Sequence, residues 1–376
     1  MSREGIKKVV VLGWFVKPQV TDGRVRYFFS LMKNLLQIQI SNQEILSKLT
    51  IKCPKVRLVS KKISDLGTFI LNQAIMVGYV LKILISLIFR KNYVNTIFHL
   101  MFPEMIWAIL LPGVKIVTFH DLYAYKNFKL KNLYNLLWNL YATVCYLLAK
   151  HFCHYYVAVS DQTKRELIKR LKLDRRRIVT IYPGVNHLGP RQYIAEKKKT
   201  IAYIGRCEEK KNPEFLVQII RELANVDDEW SFYLIGKGCS SLYNVLKEIS
   251  SKVKVIYKPV VSDLELKKIY RETFCLIHPS LQEGFGFVII EALLNGCHVI
   301  IRKSSQIPEI VKQYCIRVSS AKHAAHILTL LWKVNRGNAC SRVPGNFISR
   351  FSWYNVSYRL YRLYCYVISL MFEKSK

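Results

Sequence analysis

The chain has 376 residues, 51% of them hydrophobic, and carries 58 Lys and Arg against 25 Asp and Glu, a formal net charge of +33. That length and apolar content exclude a disordered or collagen-like chain and allow two domains, each with its own core. The positive excess favours polyanionic partners such as phosphorylated substrates, anionic lipid or nucleic acid.

Residues 1–18 hold basic residues and a short apolar run without a small-residue cleavage site, so no signal peptide is expected. Runs of strand length rich in Val, Ile, Leu, Phe and Tyr follow at 8–15, 96–100, 115–120, 155–160 and 178–182. They are continuous rather than alternating, as in parallel strands covered on both faces. Between the first two lies the most membrane-like segment, 69–89. It contains Asn72, Gln73 and Lys82, and predicts a partly buried or interfacial helix rather than a span. Residues 183–199, with Pro183-Gly184, Pro190 and three consecutive lysines, mark a boundary. The strand pattern restarts at 200–205, 231–235, 253–257, 274–278 and 298–301. Strands alternating with helices predict two doubly wound α/β domains, 1–190 and 197–350, and a closing aromatic helix at about 354–376. Ligands of such folds sit outside the carboxyl ends of the strands, and the gap between two such domains is the default site.

The sharpest motif runs from Pro279 through Glu283-Gly284-Phe285-Gly286-Phe287 to Glu291. It follows a buried strand and opens a helix, where uncovered backbone amides favour an anion. Glu291 stands about two helical turns beyond Glu283. Both carboxylates therefore suit one elongated ligand rich in hydroxyls, since a carboxylate accepts from two vicinal O–H groups. A second motif, Gly205-Arg206-Cys207-Glu208-Glu209-Lys210-Lys211-Asn212-Pro213, ends another strand. Pro213 suits the first turn of a helix capped by Asn212. Arg206 and Lys211 offer two cations to a departing diphosphate. A third, Thr118-Phe119-His120-Asp121, puts a histidine at a strand's carboxyl end in the first domain. Ile235-Gly236-Lys237-Gly238 forms a strand-end turn that lets backbone approach a nucleotide base. Ten scattered cysteines show no zinc or redox spacing and read as reduced, buried thiols of a cytosolic protein.

In this order the motifs resemble the retaining glycosyltransferases of the GT-B fold, the glycosyl transferases group 1 family, over most of the chain and most closely over residues 114–310. The resemblance implies two Rossmann-like domains facing a cleft, with an acceptor side in the first and a nucleotide-sugar site in the second. It implies that Glu283 contacts the donor sugar, that backbone from Gly284 to Phe287 holds sugar and phosphate, and that Glu291 takes the ribose hydroxyls. Gly205 and Gly236 belong to the same donor site. Arg206 and Lys211 match the pair on the diphosphate, His120 the strand end beside the reacting sugar with Asp121 on the acceptor side, and Ile307-Pro308-Glu309 a segment after the next strand. Trp353 and the tail match the closing helix that returns to the first domain. The glycine-rich loop usual after the first strand is replaced by Gly13-Trp14-Phe15-Val16-Lys17-Pro18, leaving Gly23 as the acceptor-side glycine. Phe287-Val288 stands where Leu-Pro is common.

The implied reaction moves a hexose-type sugar from a nucleotide diphosphate sugar to an acceptor hydroxyl with retention, using no cofactor. No Asp-x-Asp motif occupies a suitable strand end, so no metal is expected. The first 196 residues carry 30 basic and 10 acidic side chains. This favours an acceptor glycan or lipid-linked sugar at an anionic membrane, reached from the cytoplasm by peripheral attachment through 69–91 and 126–148. Nucleic acid is the less favoured polyanion, because no groove-reading motif is visible. A nucleotide-sugar epimerase, transfer to nucleic acid or protein, and an inactive membrane-bound scaffold are the alternatives.

Overall fold

The computed structural model describes residues 8–13, 16–17, 23–41, 50–52, 57–58, 65–89, 96–122, 133–185, 197–226, 229–249, 253–335, 338, 347, 349 and 351–373. The chain divides into two units, Met1–Gly184 with Phe351–Lys376, and Val185–Arg350. The division falls at Gly184/Val185, inside the segment 183–199 read from sequence as the boundary.

In the first unit the strands are β1 (Lys8–Leu12), β2 (Val16–Lys17), β3 (Thr50–Lys52), β4 (Arg57–Leu58), β5 (Thr96–Leu100), β6 (Val114–Phe119), β7 (Tyr155–Ala158) and β8 (Ile178–Thr180). Six of them form one sheet in the order β3-β1-β5-β6-β7-β8, and β2 pairs with β4. Every ladder is parallel. The continuous apolar runs follow from this: β1, β5 and β6 are buried on both faces, with Val9 to Leu12 fully covered. The helices are α1 (Gly23–Ser41), α2 (Asp65–Phe89), α3 (Leu133–Phe152) and α4 (Asp161–Leu171). Ser160 caps α4, its hydroxyl accepting from the Thr163 amide at 3.0 Å. Segment 69–89 lies in α2, which buries Met76, Val80 and Ile83 and exposes Ile70, Leu81 and Ile85. Among the described residues no helix is long and apolar enough to cross a membrane.

The C-terminal helix, Trp353–Glu373, packs on this unit. It buries Tyr364, whose hydroxyl meets Nδ1 of His99 on β5 at 2.7 Å, while His99 Nε2 meets Thr118 Oγ1 on β6 at 2.8 Å. A neutral imidazole donates from one nitrogen and accepts at the other, so it satisfies both hydroxyls.

The second unit has β9 (Lys198–Ile204), β10 (Ser231–Ile235), β11 (Lys254–Lys258), β12 (Thr273–His278), β13 (His298–Arg302) and β14 (Ile316–Val318). Their order is β11-β10-β9-β12-β13-β14, all parallel. The helices are α5 (Pro213–Val226), α6 (Ser240–Ile249), α7 (Asp263–Glu272), α8 (Phe287–Leu294), α9 (Glu309–Lys312) and α10 (Ala321–Asn335). On one face of the sheet, α5 and α10 close a core around Trp230, Phe232 and Phe274.

Burial pushes the His99 imidazole down to about 3. The folded chain therefore keeps it neutral, while an unfolded histidine binds a proton below about pH 6.5. The folded value is the depressed one, so stability is fully present above about pH 6.5 and falls as the pH drops toward 3. Urea unfolding at about pH 7 and about pH 5 should show a loss of up to about 1.4 kcal/mol per pH unit from this residue. His99→Gln should flatten that slope; an unchanged slope places the acid sensitivity elsewhere.

Candidate active site

The strand order of the second unit reverses between β9 and β12, and a crevice outside the carboxyl ends of two such strands is where doubly wound sheets bind ligands. The loops leaving these strands carry two of the sequence motifs. After β9 the chain passes Gly205 and Arg206 into a short 3-10 turn, Glu209–Lys211. After β12 it passes His278 and Ser280 to Glu283. Lys211 Nζ lies 2.5 Å from Glu283 Oε1, with only 17% and 15% of the two side chains exposed. His278 Nε2 reaches the same oxygen at 3.0 Å from a side chain 3% exposed.

Backbone pairing fixes this loop on two sides. The Leu281 amide donates to the Lys210 carbonyl at 2.9 Å. The Glu283 amide donates to the Gln306 carbonyl at 2.9 Å, and the Gln306 amide to the Leu281 carbonyl at 2.8 Å. Ser305 Oγ adds a bond to the Ser280 carbonyl at 2.6 Å. Glu283 is thus placed by three separate loops.

Burial alone raises the Glu283 carboxyl, but the Lys211 charge, the His278 hydrogen bond and Lys210 outweigh it and hold the acid well below the usual carboxylate range. Burial lowers His278, Glu283 opposes and Lys211 assists, and the net shift is downward. The site is therefore a neutral imidazole, an anion and an ammonium. Both protein contacts fall on Oε1, and among the described residues nothing bonds Oε2, which is left for a ligand hydroxyl.

Gly284, Phe285 and Gly286 make the turn into α8. Gly286 is its N-cap at φ +92°, a left-handed conformation that glycine adopts without strain. Phe285 is 4% exposed and meets Phe287 edge to face at 5.4 Å, so its ring is core. What this turn offers a ligand is backbone amide at a helix start. Glu291 is 3% exposed, and its Oε2 accepts from Tyr270 Oη at 2.9 Å. Asn212, expected to cap α5, is left-handed at φ 51°, and its carbonyl accepts from the Phe215 amide at 3.2 Å.

Arg206 stands on the Lys211 loop with 41% of its side chain exposed, 3.7 Å from Glu208. Gly205 and Gly236 bring the turns after β9 and β10 together. A Cβ on Gly236, at φ +145°, would lie 1.9 Å from the Gly205 carbonyl oxygen, so only glycine fits. The same two turns are joined by a disulfide between Cys207 and Cys239, with Cα atoms 5.1 Å apart. This corrects the expectation that the cysteines are all reduced. The bonded pair is 32 residues apart in sequence, a separation without the short spacing by which cysteine motifs are recognised. Cys145, Cys153, Cys275, Cys297 and Cys315 are buried thiols outside the disulfide, and Cys365 is exposed.

In the first unit His120 follows β6. Its Nε2 lies 3.2 Å from the Met101 carbonyl, its ring stacks on Phe102 at 5.1 Å, and Tyr27 meets it edge-on at 4.8 Å. Tyr27 in turn meets Trp353 at 5.6 Å. The imidazole is thereby oriented from three sides and half-buried beside half-buried Asp121. Gly23 is the first residue of α1. Trp14 and Phe15, in the unusual loop, lie outside the described residues.

Three residues were not singled out from sequence: His278, Gln306 and Tyr270. His278 ends a buried strand just as His120 does, and the same rule finds it. Gln306 acts through its backbone, and Tyr270 lies on a neighbouring helix; neither leaves a local signal.

A second unit in the nucleotide-binding strand order, with a charged cluster at its switch point, and a first unit on another parallel sheet define the GT-B class. Residues 190–333 match the family profile Glycosyl transferases group 1, and residues 79–187 match Glycosyltransferase Family 4. The second unit thus resembles the glycosyl transferases group 1 family and the first unit Glycosyltransferase Family 4. A D-inositol 3-phosphate glycosyltransferase of Mycobacterium marinum is 25% identical over 219 residues, which is 53% of this chain and 47% of that protein. The chain spans about half the length of the curated relatives it matches. Among solved structures, sucrose-phosphate synthase from Thermosynechococcus elongatus has a TM-score of 0.70 at 13% identity, covering 97% of this chain and all of that one. The pneumococcal O-GlcNAc transferase GtfA, solved with UDP and GlcNAc, has a TM-score of 0.58 at 17% identity over 77% of this chain and 59% of its own.

The disulfide closes a loop of 32 residues in separation, for which chain entropy predicts a stabilisation of about 3–4 kcal/mol. Urea unfolding with and without dithiothreitol, and of Cys207→Ser, should show a loss of that order. Identical curves, or an alkylation pattern showing both thiols free in the purified oxidised chain, would contradict the bond.

Proposed function

We propose that the chain is a glycosyltransferase that moves a hexosyl residue from a nucleotide diphosphate sugar to an acceptor hydroxyl with retention of configuration, and that the acceptor is a lipid-linked or membrane-surface glycan. The observation that carries this reading is the Lys211–Glu283 pair at the β9/β12 switch point, next to the start of α8. Glu283 Oε2 accepts from donor sugar hydroxyls, the turn from Gly284 to Phe287 holds sugar and phosphate by its amides, and Glu291 takes the ribose. Lys211 has three N–H donors; one holds Glu283, and the others meet the diphosphate together with Arg206. His120 lies beside the reacting sugar, and Asp121 and Gly23 belong to the acceptor side.

The acceptor oxygen attacks the anomeric carbon from the face the diphosphate leaves. The bond from that carbon to the phosphate oxygen breaks, the bond to the acceptor forms, and the acceptor's proton passes to the departing phosphate. No protein base is needed. Two fixed cations at the leaving group do the work a divalent ion does elsewhere, so activity should survive chelation. Lys211→Ala and Arg206→Ala should each lower the rate roughly 100–1000-fold. Wild-type-like turnover in either variant removes that residue from the diphosphate.

Thermal-shift screening with UDP-glucose, UDP-N-acetylglucosamine and GDP-mannose tests the donor site, because a ligand of the folded state raises the midpoint. Transfer is then scored against Glu283→Ala. Free isomerised sugar released without acceptor would instead identify an epimerase, and incorporation into DNA a nucleic-acid acceptor.

For the membrane, the support is the basic first half and an apolar face on α3. Leu137, Leu140, Val144 and Leu147 are 40–55% exposed and recur every three or four residues, which puts them on one side of the helix. Near them Trp107 and Leu110 are also exposed, on the short 3-10 turn Ile106–Leu110 that packs against α3. We take this face as the one that meets the membrane, peripherally and from the cytoplasmic side. The chain should float with phosphatidylglycerol vesicles at low salt, and Leu140→Glu with Leu147→Glu should release it. Failure of the unaltered chain to float would remove the membrane from this proposal.

A further inference from the structure

We infer that Tyr270 is a positioning residue for the nucleotide, its buried hydroxyl setting the Glu291 carboxylate in the orientation that takes the ribose. This rests on the role proposed for Glu291. Tyr270 ends α7 and has no exposed surface. Its phenol has one proton, and the Glu291 carboxylate oxygen at 2.9 Å accepts it. The Val288 carbonyl, at 3.5 Å, is at the limit of a hydrogen bond. A carboxylate at the end of three rotatable bonds and 3% exposed needs such a donor both for its charge and for its direction.

The tyrosine is itself anchored. Its carbonyl accepts from Lys197 Nζ at 2.8 Å, and the same ammonium donates to the Asn295 carbonyl at 2.7 Å. Asn295 is the C-cap of α8, one turn past Glu291. Lys197 is 3% exposed. Lys197 thus joins the end of α7 to the end of α8 through backbone, while the Tyr270 hydroxyl joins the same two helices at Glu291. Two attachments fix the ring relative to the helix that carries the acid. The helix whose first turn faces the phosphate is the one held, so phosphate and ribose contacts keep a fixed spacing.

The test uses the full chain with UDP, GDP and ADP as probes, each beside its 2′-deoxy counterpart, by calorimetry on samples whose folding is checked by circular dichroism. Tyr270→Phe should bind the ribonucleotide about tenfold more weakly. It should lose most of the preference for ribose over deoxyribose, and add no further loss in a Glu291→Ala background. Glu291→Asp, which withdraws the acid from the hydroxyl and leaves the tyrosine packed, should lose the same preference. A Tyr270→Phe chain that binds as the wild type does, or loses the same factor with Glu291 already removed, overturns the inference, as does full ribose preference in Glu291→Asp. Wild-type binding that ignores the 2′-hydroxyl also overturns it and leaves the donor site standing. No binding of any of the three nucleotides takes down both.

Discussion

An ammonium and an imidazole share one oxygen of a single carboxylate, and the second unit is arranged around that contact. Lys211 comes from the loop after β9, and His278 and Glu283 come from the end of β12 and the loop after it. Such a pair, largely withdrawn from water, is costly to break, because removing either partner leaves an uncompensated charge. The surrounding backbone bonds, from Lys210 to Leu281 and from Gln306 to Glu283, hold the geometry that makes the pair possible. The result is an anion that stays ionised, with one oxygen committed to the protein and the other available.

The same design principle recurs at smaller scale around it. Gly236 presses on the Gly205 carbonyl, and Cys207 is bonded to Cys239, so the turns after β9 and β10 move as one piece. The α7–α8 junction is closed by Lys197 and Tyr270. Loops at the ends of strands are ordinarily the mobile part of a doubly wound fold. Here they are tied to one another by charge, covalent bond and close backbone approach, which lowers the ordering cost when a ligand binds. In the first unit, aromatic packing has that role: Phe102 and Tyr27 hold the His120 ring, and Trp353 backs Tyr27.

Much of this was legible in the sequence. Uninterrupted runs such as 8–12, 96–100 and 274–278 suit strands buried on both faces of a covered parallel sheet, so the strands and the α/β class follow from the pattern of these runs, while the GT-B class came from the resemblance. Strands β3 and β14, three residues each, are too short to carry that signal. The Glu283–Glu291 segment was readable because glycine at Gly286 and acids at fixed spacing are local features. The disulfide was missed, and the cysteines were read as reduced, because a contact across 32 residues leaves no local trace. That Lys211 meets Glu283 while Arg206 lies by Glu208 is likewise without a local trace.

The amino-acid order by itself determined the two sheets, the site-bearing strand ends and the chemical types gathered there, since each depends on the periodicity and propensity of neighbouring residues. The tertiary structure alone decided which of those groups touch. Strand order places β9 beside β12 although α5, β10, α6, β11 and α7 intervene. That adjacency is what turns a lysine at 211 and a glutamate at 283 into one ion pair, as the pairing of β9 with β10 brings Cys207 to Cys239. Non-local contacts are set by how covered sheets pack, and no window of sequence contains both partners.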